Sequence, residues 1–162
     1  MFDFIHFFQD ISERNRLARE KNFGFCTCSG IAHLEGLLEE LRTRKAFFCV
    51  SDTCEEATAQ RGGAWFKRRL VTVFLLHRYD TRSRASYTDA LDTCRELFRQ
   101  VHSYLLRDSV RRQEEITYLG VGEIKSQELG GQFLNGCTGL LFMLPVDEPI
   151  NLCFEPDEWE GE

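Results

Sequence analysis

Long apolar runs are missing from this chain. Its longest candidate, residues 70–76, is bounded by Arg69 and His77 and falls far short of the roughly 20 apolar residues a membrane-spanning helix needs. The first residues, Met1-Phe-Asp-Phe-Ile-His-Phe-Phe, lack the basic start, long apolar stretch and small-residue cleavage site of a secretory signal, so a cytoplasmic protein is expected. Proline is scarce, with 3 in 162 residues, and no Ser, Gln, Pro or Gly tract interrupts the chain. With 43% apolar and 28% charged residues the composition argues against disorder. A chain of this length suits one domain over residues 1–162, ending in an extended acidic tail over residues 151–162.

The usual signatures of chemistry are absent as well. Cysteine is plentiful at 7, but the number is odd and Cys49, Cys94, Cys137 and Cys153 sit in apolar stretches, so reduced, packed thiols are expected. Cys26-x-Cys28 with His33, joined by Cys49 or Cys54, is the one grouping with metal-ligand character. Its spacings do not match the paired C-x₂₋₄-C pattern of structural zinc, so no metal and no cofactor are expected. Gly120-Val-Gly122, Gly130-Gly131 and Gly136 fit neither a P-loop nor a dinucleotide fingerprint and read as turn and bulge glycines. His6, His33, His77 and His102 are scattered, and none stands in a nucleophile-elbow context, so an enzyme is not expected.

What is present is an uneven distribution of charge. From Gln113 onward there are 11 acidic residues against one lysine, whereas residues 1–112 hold 15 acidic and 19 basic ones. A basic body therefore carries an acidic C-terminal third. Lys67, Arg68, Arg69, Arg78, Arg82 and Arg84 flank the longest apolar strand. The aromatics lie inside apolar stripes instead of on an exposed sheet, so no specific nucleic-acid binding is expected.

Periodicity predicts the elements. Residues 2–20 place Phe4, Ile5, Phe7, Phe8, Ile11 and Leu17 near helical spacing, and Ile31, Leu34, Leu37, Leu38 and Leu41 mark a second helix. Residues 23–28 form a short alternating edge strand, residues 46–50 a compact apolar strand, and residues 52–63 a polar loop. Residues 66–79 are apolar on both faces in the middle, so that strand must be covered twice. A helix of about twenty residues follows, carried by Tyr87, Leu91, Cys94, Leu97, Phe98, Val101, Tyr104 and Leu105 behind a Ser86-x-x-Asp89 cap. Residues 107–115 are expected to turn the chain. Residues 116–124 and 137–146 then read as strands, with Pro145 and Pro149 placing the end of the second at an edge. The expected fold class is α+β, a mainly antiparallel sheet of about four strands with helices packed on one face.

The αββαββ order over residues 31–146 resembles the tail terminator and head-tail completion proteins of tailed bacteriophages and prophages. Ala46-Phe-Phe-Cys-Val-Ser-Asp52, Phe66-Lys-Arg-Arg-Leu-Val-Thr-Val-Phe-Leu-Leu76, the helix around residues 91–105 and Gly139-Leu-Leu-Phe-Met-Leu-Pro145 carry the resemblance. The N-terminal Phe-rich helix and the acidic tail stand outside the shared pattern. The resemblance implies a non-enzymatic, virion-associated subunit that forms a ring and contacts tail-tube or head-connector proteins. A small ligand-binding or regulatory domain, or an uncharacterised enzyme, is the competing reading. The divided charge predicts a head-to-tail contact between copies. Arg68, Arg69, Arg78 or Arg82 of one copy would face Asp157, Glu158 or Glu160 of the next, with Trp159 as the apolar anchor; the equal alternative is a tail that folds back and docks on its own domain.

Overall fold

The computed structural model describes residues 1–130 and 136–160. Gly131 of the glycine-rich connection and the last two residues of the acidic tail lie outside the described residues. In chain order the elements are α1 (Phe4–Arg14), α2 (Arg16–Glu20), β1 (Phe23–Cys28), α3 (Ile31–Glu40), β2 (Ala46–Ser51) and β3 (Glu55–Arg61). They continue with β4 (Ala64–Arg78), α4 (Arg84–Glu114), β5 (Tyr118–Leu119), β6 (Lys125–Leu129), β7 (Cys137–Pro149) and a 3₁₀ turn, Pro156–Glu158.

Local chemistry sets several boundaries. The expected first helix is broken at Asn15, whose backbone N–H closes α1 onto the Ile11 carbonyl while its side chain accepts from the Ala18 N–H and opens α2. Ser83, and not Ser86, caps α4 by accepting from the Ser86 N–H at 3.2 Å. Ser86 instead accepts from the Asp80 N–H. The helix then runs 31 residues, through the stretch expected to turn. The polar loop expected over residues 52–63 contains β3, which the two-residue turn Gly62-Gly63, both at positive φ, folds back onto β4.

The sheet is larger and more mixed than the sequence reading. It has seven strands in the order β1-β2-β4-β7-β5, with β3 also on β4 and β6 also on β7; β1 and β2 pair in parallel, and the other pairings are antiparallel. The expectation of about four strands with helices on one face is therefore corrected. The apolar centre of β4 explains why. Val71, Val73 and Leu75 turn to a core shared with α1 and α4, while Phe74 and Leu76 turn to a second core under α3. Helices thus cover both faces.

The α1/α4 core is rich in phenylalanine, with Phe142 stacked on Phe98 at 4.9 Å and edge-on to Phe8 at 6.0 Å. The second core holds Leu34, Leu38, Phe47 and Leu141 beside Cys28 and Cys49. Pro145 lies inside β7 and does not mark an edge. Its carbonyl accepts from the Gly120 N–H at 2.7 Å, so its ring nitrogen faces the same side, in the gap between β6 and β5 where no ladder bond is lost. Gly139 is required by close approach, since a Cβ there would lie 1.9 Å from the Leu75 carbonyl oxygen.

Candidate functional site

The four arginines expected to face a second copy have separate roles. Arg69 points into the α1/α4 side and is buried, donating to Glu148 and, at 2.9 Å, to the Phe2 carbonyl, with its guanidinium 5.2 Å from the Phe4 ring. Arg78 reaches the other side, donating to the carbonyls of Arg44 and Leu38 at the end of α3. Arg68 grips Asp147 through two bonds of 2.7 Å, and Arg61 joins from β3. These hydrogen bonds, Arg68's first among them, hold the Asp147 carboxyl below the usual carboxylate range. Arg82 is exposed and pairs only locally, with Asp80. Much of this basic chemistry therefore serves the fold of its own chain.

The acidic side of the expected contact is placed differently. Every residue from 151 to 160 is exposed. Asp157 and Glu158 lie in the 3₁₀ turn, and Trp159 stacks on Phe154 at 5.9 Å and not on the body. Leu152, Phe154 and Trp159 are 50%, 58% and 61% exposed, interleaved with Glu155, Asp157, Glu158 and Glu160. The segment follows β7 after Ile150, whose N–H bonds the Trp65 carbonyl.

A second basic cluster, which the spacing argument missed, lies where α1 and α2 meet α4. A cleft of about 440 Å³ is lined there by Ile11, Arg14, Arg16, Gln100, Tyr104 and Arg107. Arg14 and Arg107 hold their guanidinium groups 5.9 and 5.4 Å from the same Tyr104 ring. Asp10 pairs with Arg14, and Asp108 with Arg111 on the next turn. Arg16 and Arg107 have no carboxylate partner among the described residues. Leu106 and Val110, one turn apart on the solvent side of α4, are also exposed. The missed signal was helical continuity. Reading residues 107–115 as a turn removed Arg107 and Arg111 from the face that carries Gln100, Ser103 and Tyr104.

The remaining candidates are built into the fold. Cys26 pairs with Cys49 in the β1–β2 register, with Cys28 close by in the same core. The neighbouring Cys26 and Cys28 thiols, with burial, push the Cys49 thiol above its ordinary range. His33 accepts from the Ser29 N–H through Nδ1, His77 bonds the Arg78 carbonyl, and His102 bonds the Val121 carbonyl while stacked on Phe98. Among the described residues, no group of three or more His, Cys, Asp or Glu is placed to hold a metal ion. No helix among them is long and apolar enough to cross a membrane. No known protein family matches the chain, and no curated protein is similar to it, so the functional reading stands on this geometry.

Proposed function

We propose that the chain is a structural assembly subunit of a phage or prophage tail, of the tail-terminator or head-tail joining type. It acts through contacts with copies of itself and with tail-tube or head-connector neighbours. One observation carries the reading: the segment after β7 holds Leu152, Phe154 and Trp159 in water among four carboxylates. Large aromatics inside a charged rim are the side chains that anchor protein interfaces, each contributing about 2 kcal/mol or more when a partner buries them. Among the described residues the segment's contacts within its own chain are local, the Phe154–Trp159 stack and hydrogen bonds such as Cys153 N–H to Asn151 and Trp159 N–H to the Pro156 carbonyl. Among the described residues β3 pairs with no strand besides β4, and its seven exposed residues add an edge that a neighbour could extend.

Sedimentation and native mass spectrometry of the full chain at micromolar concentration test this reading, with negative-stain microscopy for ring outlines. A defined homo-oligomer is expected. A chain that stays monomeric at every concentration, alone and with tail-tube proteins, would overturn it.

A further inference from the structure

We infer that the C-terminal segment of one copy, residues 151–160, docks into the arginine cleft between α1, α2 and α4 of the next copy. This deepens the self-association reading and rests on it. The cleft holds Arg14 and Arg107 on one Tyr104 ring and Arg16 at the rim; Asp10 balances Arg14, and Arg16 and Arg107 have no carboxylate partner among the described residues. The positive charge left over is that of Arg107 and Arg16, and an anion seated beside them would gain charge-assisted hydrogen bonds. The segment supplies Glu155, Asp157, Glu158 and Glu160 and no basic residue.

The apolar parts correspond as well. Leu106 and Val110 are exposed beside Arg107 and Arg111, and the segment carries Phe154 and Trp159 exposed among its acids. A nucleic acid would satisfy the arginines through its phosphates but would leave that aliphatic pair unused, so a peptide with acidic and aromatic side chains is the better occupant. Seating the segment in a different copy joins unlike surfaces, which is a heterologous contact that repeats from copy to copy. The basic partner is therefore the cleft, in place of the arginines flanking β4.

The test uses two full-length variants, each checked for its fold by circular dichroism. One is Arg16→Glu with Arg107→Glu, which spoils the cleft and leaves the segment intact. The other is Phe154→Ala with Trp159→Ala, which spoils the segment, touches no residue of the body and so remains informative if the first fails to fold. Each alone is expected to weaken self-association by about 100-fold or more. Mixed together, they should form a 1:1 pair that grows no further, because the mixture contains a single working combination of segment and cleft.

Assembly of either variant at wild-type strength would overturn the docking site while leaving self-association standing. A monomeric wild type overturns both readings. If its two variants nevertheless pair, the segment closes on its own chain. Binding of duplex DNA that is lost in the arginine variant, with assembly unchanged, would assign the cleft to nucleic acid and also overturn the inference.

Discussion

Arg68 and Arg69 are neighbours in β4, yet they point to opposite faces of the sheet and their charges are handled differently. Arg69, 8% exposed, lies under α1 with Glu148 and the rings of the N-terminal helix around it. Arg68, 45% exposed, meets Asp147 beyond the reach of α3, beside half-buried Leu70, Met143 and Pro145. The difference shows how far each helix layer extends. On the α1/α4 side the cover reaches the end of the β4–β7 ladder, and a charge survives only fully paired. On the α3 side the cover stops partway, and charge pairs take over where apolar packing ends.

The largest expected effect comes from truncating the closed face. Phe142→Ala removes a ring packed against Phe8 and Phe98 and should cost about 3–5 kcal/mol in denaturant unfolding. Met143→Ala, its neighbour on the open face, should cost about 1 kcal/mol. Equal losses would break the contrast between the faces.

Removing one partner of the buried pair comes next. Arg69→Met takes the cation away from largely buried Glu148, which keeps the Phe2 N–H as a donor, and should cost about 3 kcal/mol. Adding Glu148→Leu should recover most of that loss, since the penalty belongs to the carboxylate left without its cation. A double variant as unstable as the single one would show that the pair, and not its incompleteness, supports this end of the sheet.

On the open face the effect is smaller and depends on pH. Asp147 titrates below its unfolded value, chiefly through Arg68, so its contribution is present above the unfolded carboxyl range and is lost as pH falls through the folded value. Asp147→Asn should cost about 1 kcal/mol at neutral pH, because solvent screens the partly exposed arginines, and little once the pH has fallen below the folded value. Parallel stability curves for wild type and variant between pH 2 and 7 would sink the assignment.

The residues themselves show what could be read in advance. The stripe from Leu91 to Leu105 announced α4 because every member packs inward or against the core. The last turns hid because the stripe fails there: Leu106 and Val110 face water while Asp108 and Ser109 are buried. β3 gave no signal, since all seven of its side chains are exposed, and pairing to β4 through Gly62-Gly63 makes it a strand. The parallel β1–β2 pair depends on a crossover through α3, which local alternation does not encode. At the candidate site the acidic aromatic segment was legible from composition alone. The roles of the arginines set against it were not, because Arg69 and Arg78 are used by Glu148 and Leu38, residues remote in sequence.

The smallest expected effect on stability separates the body from the segment. If Phe154 and Trp159 touch only each other in a single chain, replacing both by Ala removes a stack that does not couple to either core. The unfolding free energy, measured where the protein is monomeric, should then change by less than about 0.5 kcal/mol. Concentration supplies the second half of the comparison. Anything that binds the folded state and not the unfolded one raises stability by mass action, so wild-type Tm should climb with protein concentration. The variant's Tm should stay flat, because the group that makes the intermolecular contact is gone. A loss above about 1 kcal/mol at the lowest concentration would mean that the aromatics already pack on their own body, since surface side chains without partners do not carry that much. A variant whose Tm climbs as the wild type's does would place the contact between copies elsewhere on the molecule.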